Sequence, residues 1–126
     1  MTADDFRDVI LGLDGVIERS HMRHPDFRAN GRIFASLSTD ETIATVRLSP
    51  DEQAELLHQH PRTFFPAAGA WGRDGWTRMT LSGASEPAVR AAVLLAWQAI
   101  VAMKPGRSAA GRAPKRSTKK PPRKRR

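Results

Sequence analysis

Apolar residues recur at helical spacing in three segments of the chain. Over residues 3–13 they lie three or four positions apart. Aspartates near the start of this segment suit the positive end of a helix dipole. A second helix is predicted from Ser49 to about His60, because Ser49 and Glu52 have the spacing of a capping box. An apolar stripe over residues 85–103 predicts the third helix.

Shorter segments between these helices have the pattern of strands. Residues 16–21, 43–48 and 76–81 each suit one strand. Residues 63–73 contain a proline and two glycines without a clear period, and we expect them to be irregular.

The clearest turn signal is Asn30-Gly31, the preferred dipeptide of a two-residue hairpin. Residues 26–29 and 32–35 flank it and are predicted to pair. In such a hairpin Phe27 lies opposite Phe34, and we expect that pair to anchor the register. Asp74-Gly75 is a second turn signal, directly before the last predicted strand.

The predicted order is helix, three or four strands, helix, strand, helix. Short strands linked by hairpins favour a largely antiparallel sheet, with the helices packed on one face and the other face partly open. The predicted fold class is therefore α+β. If Val46 and Met79 point into the core, strand alternation directs these residues to the open face: Thr45, Arg47, Trp76, Arg78 and Thr80.

The net positive charge of the chain comes from its last residues. Residues 104–126 contain eleven Lys or Arg and no acidic residue, whereas residues 1–103 contain ten arginines and thirteen acidic residues. We therefore predict a folded domain over 1–103 and a disordered basic tail over 104–126. A polyanion is the expected partner of the tail, because each cation placed near a phosphate releases a counterion. The candidate phosphate contacts are Lys115, Arg116, Lys119, Lys120, Arg123, Lys124, Arg125 and Arg126.

The composition also excludes several kinds of site. The chain has no cysteine and no tyrosine, and it contains no Gly-x-Ser-x-Gly motif or phosphate-binding glycine loop. No catalytic constellation is visible, so we expect a protein that is not an enzyme and holds no cofactor. No apolar stretch resembles a signal peptide or a membrane span, which predicts a cytoplasmic protein, compatible with association with the nucleoid.

Three segments, taken together, resemble the MmcQ/YjbR family of small bacterial proteins. They are His21-Met22-Arg23-His24-Pro25-Asp26-Phe27-Arg28 with Gly31-Arg32-Ile33-Phe34-Ala35, Ala70-Trp71-Gly72-Arg73-Asp74-Gly75-Trp76-Thr77, and Leu95-Ala96-Trp97. The resemblance covers about residues 2–104. It implies a fold related to the frataxin-like (CyaY-like) group and DNA binding through paired hairpin wings. The tail extends beyond the usual family pattern.

Two surfaces of the predicted domain are candidates for contact with nucleic acid. Arg28 and Arg32 bracket the first turn and Arg73 and Arg78 the second, so arginines at hairpin tips would reach phosphates or a groove. The alternative is that these arginines only keep the hairpins soluble. On the open face, Trp76 with Arg47 and Arg78 would stack a base and hold phosphates. The alternatives there are a surface for a partner, or a Trp76 covered by the 63–73 segment, which we favour.

His21 and His24 raise the question of a metal site beside Asp26. No known ligand spacing supports such a site, and positions i and i+3 of a strand face opposite sides, so we predict no metal. A turn contact of His24 is the expected role.

The residues favour a non-enzymatic nucleic-acid-binding protein, with DNA preferred to RNA. The basic tail would supply most of the affinity through phosphate contacts that do not depend on sequence, and the arginines of the domain would add weaker contacts. No membrane and no obligate metal are expected, and a monomer is favoured. The alternative function is a small-ligand or protein-interaction module with a pocket near Trp71 and Trp76, in which the tail serves only localisation.

Overall fold

The computed structural model describes residues 1–105 of the 126-residue chain. The predicted disorder after residue 105 and the eight predicted phosphate contacts from Lys115 to Arg126 lie outside the described residues. Ten elements follow in this order: α1 (Ala3–Leu11), β1 (Ile17–His21), β2 (His24–Ala29), β3 (Arg32–Leu37), β4 (Ile43–Arg47), α2 (Pro50–Gln59), β5 (Phe64–Pro66), α3 (Gly69–Arg73), β6 (Trp76–Thr80) and α4 (Glu86–Val101).

The six strands form one sheet in the order β1-β2-β3-β4-β6-β5, and every neighbouring pair is antiparallel. Helix α4 packs across β2, β3 and β4, and α1 packs on α4. The apolar core lies between the sheet and these helices, and it includes Phe6, Ala35, Val46, Met79 and Val93, none of which is exposed. The predicted α+β fold with an antiparallel sheet is confirmed.

The helix starts follow from local chemistry. The Ser49 hydroxyl accepts a hydrogen bond from the backbone N–H of Glu52, and the Glu52 carboxylate accepts one from the N–H of Ser49, so the predicted capping box is confirmed. Thr2 and Asp5 form the same arrangement at the start of α1. These caps satisfy backbone donors that have no partner within the helix.

A β-bulge changes the register that we predicted for the central hairpin. Arg28 pairs with Ile33 next to the turn, but Phe27 then pairs with Ala35, so Phe34 is an extra residue on β3. The predicted pairing of Phe27 with Phe34 is therefore wrong. The bulge places the consecutive residues Phe34 and Ala35 both on the core side, where neither is exposed, and Ile33 is left on the open face.

The segment that we expected to be irregular contains the short strand β5 and the one-turn helix α3. Asp74-Gly75 therefore follows a helix and does not connect two strands, so the second predicted hairpin is wrong. Backbone proximity explains the glycines here: a Cβ at Gly72 would lie 1.9 Å from the Ala67 carbonyl oxygen, and one at Gly75 would lie 1.9 Å from that of Leu48. Such close approach requires a residue without a side chain.

The two edges of the sheet differ. Edge strand β1 is exposed along its whole length. At the other edge, β5 has three residues and ends at Pro66. Both edges are short, which limits the row of unpaired backbone groups that they present.

Candidate nucleic-acid interface

The open face of the sheet carries a row of polar residues at matching register positions. Successive pairings join Arg19 to Asp26, Asp26 to Ser36, Ser36 to Thr45, and Thr45 to Arg78. Directly opposed residues point to the same side of a sheet, so this row faces away from α1 and α4. The predicted outward direction of Thr45 and Arg78 is confirmed, since their neighbours Val46 and Met79 are buried.

A groove with a volume of about 650 Å³ crosses this face. One wall is the turn between β1 and β2, with His21, Met22 and His24. The opposite wall is the β5–α3 segment, which contributes Ala67 and Trp71. Its floor is formed by strand residues of mixed character, among them Asp26, Ile33, Ser36, Ile43, Thr45, Trp76 and Arg78. A mostly apolar groove with a few polar groups is typical of a ligand site.

Two indole rings lie together at one wall of the groove. Their centroids are 5.8 Å apart, and the rings meet edge to face at 78°. Trp76 is half-buried and lines the groove, while Trp71 is 65 % exposed. Part of the 63–73 segment thus lies against Trp76, as we favoured, and it presents a second aromatic ring to solvent.

Asp26 and Arg28 form an ion pair on the open face. Asp26 is 2 % exposed, and its carboxylate accepts hydrogen bonds from Nε of Arg28 at 2.8 Å and from its Nη2 at 3.1 Å. This pairing raises the pKa of the Arg28 guanidinium above its ordinary value. Because Arg28 neutralises a buried carboxylate, its charge is already engaged within the domain.

Arg78 and Arg47 are not engaged in that way. The guanidinium carbon of Arg78 lies 5.5 Å from the ring centroid of Phe65, and Nη1 of Arg47 lies 3.7 Å from the sulfur of Met103. Among residues 1–105 neither arginine has a carboxylate partner. Their charge is available to an anion at the open face.

Acidic residues are scarce on the strands and are compensated there. The six strands contain five arginines and two acidic residues, of which Asp26 lies on the open face and Glu18 on the side of α1. Glu18 accepts hydrogen bonds from Arg7 of α1, which also binds Glu41 and Asp4. The open face is therefore positive although residues 1–103 carry more acidic than basic residues.

The tip of the β2–β3 hairpin is docked against the rest of the domain. Asn30 adopts a left-handed backbone conformation with φ 56°, and its amide nitrogen donates to the carbonyl oxygens of Ile100 at 3.0 Å and Met103 at 2.6 Å. Arg32 donates to the carbonyl oxygen of Lys104 at 3.2 Å. This tip caps the end of α4 and places the start of the basic tail beside it, so it does not project as a free wing.

The structure brings some predicted site residues together and separates others. Arg47, Trp76 and Arg78 share the open face, with Arg47 directly opposite Trp76 in the register. Arg28 is on that face but is paired with Asp26. Arg32 lies beside Lys104, where the basic tail begins. Arg73 lies on α3 and is exposed.

The turn between β1 and β2 forms a wall of the groove and was not predicted from the sequence. Met22 and Arg23 both have left-handed backbones, with φ 51° and 69°, and Met22 is 82 % exposed. A Met-Arg dipeptide carries no turn signal, because such a turn ordinarily uses asparagine or glycine. His24 contacts the Thr39 hydroxyl at 3.5 Å. Within residues 1–105, no group of three or more His, Asp or Glu is arranged to hold a metal ion.

None of the helices within residues 1–105 is both long and apolar enough to cross a lipid bilayer.

Comparison with known proteins gives one family and one fold. The family model YjbR matches residues 11–99. The crystal structure of Deinococcus radiodurans protein DR2400, a DUF419 domain, superposes with a TM-score of 0.68 at 20 % sequence identity, covering 79 % of this chain and 78 % of that chain. At that identity the likeness shows the fold alone. No curated protein matches the chain significantly.

Proposed function

The chain belongs to the YjbR family, and from that premise we propose that it is a non-enzymatic nucleic-acid-binding protein of the cytoplasm, with DNA preferred to RNA. One observation carries the proposal. On the sheet face opposite the helices, Arg47 and Arg78 have no carboxylate partner among residues 1–105, and both acidic residues of the strands are paired with arginines. A positive face on a domain of net negative charge favours an anionic partner over a neutral one.

The basic tail supplies most of the affinity in this proposal. Residues 104–126 hold eleven of the 21 basic residues of the chain and no acidic one. The tail starts at the end of the sheet where Arg32 contacts Lys104 and Arg47 contacts Met103. A polyanion held by the tail is therefore near the open face. Contacts of this kind go to phosphates and do not read the base sequence.

A salt titration of duplex DNA binding tests the division of roles. For the full chain, the logarithm of the binding constant is expected to fall linearly with the logarithm of salt, by about 0.9 per neutralised phosphate. In a variant with glutamine at the eight basic positions from Lys115 to Arg126, most of that slope should disappear. If this variant binds as tightly and as salt-sensitively as the full chain, the role of the tail is wrong.

Single substitutions test the open face separately. Arg78→Gln should reduce the slope by about 0.9, the contribution of one phosphate. Arg90→Gln is the matched control, because Arg90 lies on α4 and pairs with Glu86 on the opposite side of the domain. Equal slopes for the two variants would remove the open face from the interface.

The groove favours a second candidate function. It lies next to Trp71 and Trp76 and has the volume of a small-molecule site. In this alternative the domain binds a small ligand or a partner protein, and the tail serves only to localise it. Complete loss of DNA binding at low salt in the tail variant, with an unchanged slope for Arg78→Gln in the full chain, would favour this alternative.

A further inference from the structure

We propose, resting on the function proposed above, that the open-face groove holds an unpaired base of single-stranded nucleic acid, stacked on Trp71. The bases of a duplex are already stacked and paired, so only an unpaired base is free to enter a groove of this kind. The protein would then prefer single strands to duplexes. Three properties suit the groove to this role: its aromatic wall, the unpaired hydroxyls on its floor and the positive charge at its rim.

The aromatic wall offers an open stacking surface. Trp71 meets Trp76 edge to face, so that contact does not occupy both faces of either ring. With 65 % of its surface exposed, Trp71 has an unusually accessible ring for so large an apolar side chain. A base stacks on such a ring whatever its identity, because every base has an aromatic face. The volume of about 650 Å³ leaves room for a nucleotide.

The floor of the groove offers hydrogen-bonding groups with no other use. Ser36 and Thr45 lie opposite each other in the register and both line the groove. Within residues 1–105 neither hydroxyl has a hydrogen-bond partner. A hydroxyl both donates and accepts, so this pair suits the mixed edge of a nucleobase and does not select one base.

The rim supplies charge for the backbone that carries the base. Arg78 lines the groove and is opposite Thr45, and Arg47 is opposite Trp76 two positions along. A strand that placed a base against Trp71 would bring its phosphates past the guanidinium group of Arg78. The Asp26 carboxylate does not oppose them, because Arg28 neutralises it.

The test compares oligothymidylate with an abasic oligonucleotide of the same length, which carries the same phosphates and no bases. With the full chain, the oligothymidylate should bind about 5- to 140-fold more tightly, the range found for stacking of one base on an aromatic side chain. Trp71→Ala should abolish the difference, and Trp71→Phe should largely restore it. Leu94→Ala is the matched control, because Leu94 is an exposed apolar residue on α4 and should keep the difference.

Three other outcomes would contradict the proposal. Equal, salt-sensitive binding of the two oligonucleotides by the full chain would overturn the groove proposal and leave nucleic-acid binding intact. Failure to bind either one at low salt would overturn the proposed function and this inference with it. If free thymidine monophosphate competes as well as the oligothymidylate does, the groove is a small-molecule site and the proposal is wrong. Thermal unfolding of the Trp71 variants checks that the domain remains folded.

Discussion

Replacement of Asn30 tests whether the hairpin tip holds the end of α4. The side chain donates two hydrogen bonds, to the carbonyl oxygens of Ile100 and Met103, and its φ of 56° suits asparagine or glycine. Asn30→Gly keeps that backbone conformation and removes both bonds. Each bond contributes about 1 kcal/mol, and the extra flexibility of glycine in the unfolded chain adds up to about 1 kcal/mol.

We therefore expect Asn30→Gly to lower the free energy of unfolding by about 2–3 kcal/mol. For a domain of this size, each kcal/mol corresponds to roughly 4 °C in the unfolding temperature, so a fall of about 10 °C is expected. Urea unfolding followed by circular dichroism measures the free energy, and scanning calorimetry measures the temperature.

Asn30→Asp gives a sharper comparison, because it preserves size and backbone preference. A carboxylate cannot donate, and its charge would lie against two carbonyl oxygens at the negative end of α4. We expect it to destabilise the domain at least as much as Asn30→Gly does at neutral pH. A stability of Asn30→Asp within about 0.5 kcal/mol of the unchanged chain would refute the capping role, since that is the scale of an ordinary surface change.

Three further results are expected. Arg28→Gln leaves the buried Asp26 carboxylate unpaired and should lower the free energy of unfolding in urea by about 3–5 kcal/mol. The double variant with Asp26→Asn should recover most of that loss, and an equal loss in both variants would contradict the pairing argument. Gly75→Ala should cost far more stability than Gly83→Ala, because both glycines have positive φ but only at Gly75 would a Cβ meet backbone. Hydrogen bonds from Arg7 lower the pKa of Glu41 below its ordinary value near 4.5, so the stabilisation from this ion pair is complete above that value and is lost as the pH falls through the lower pKa of the folded state. Glu41→Gln should show a smaller fall in urea midpoint between pH 7 and pH 3, and an unchanged fall would contradict this argument.

Local chemistry accounts for the parts of the fold that the sequence predicted. The capping box at Ser49, the helical spacing over residues 3–13 and the Asn30-Gly31 turn each involve residues close together in the chain, so the pattern carries the signal directly. The outward direction of Arg78 followed from strand alternation in the same way. These features are decided within a few residues.

The missed features depend on packing between distant segments. The bulge at Phe34 places the consecutive residues Phe34 and Ala35 in the core, and no residue near it in the sequence predicts a bulge. Helix α3 begins at a glycine and has no side-chain cap, so its stability comes from contact with β5 and β6. The Met22-Arg23 turn likewise lacks turn residues. The groove was predicted only in part, because two of its walls are built from these missed segments.

The sheet edges have a consequence for how copies of this chain meet one another. If two β1 strands paired about a two-fold axis with the greatest overlap, Arg19 would stand directly opposite its own copy, and such like-charged cross-strand neighbours repel. At the far side, Pro66 has no N–H to offer an incoming strand. Both edges of the sheet therefore disfavour edge-to-edge growth into fibres. A nucleic acid that gathers many copies along its length would concentrate the protein without recruiting these edges.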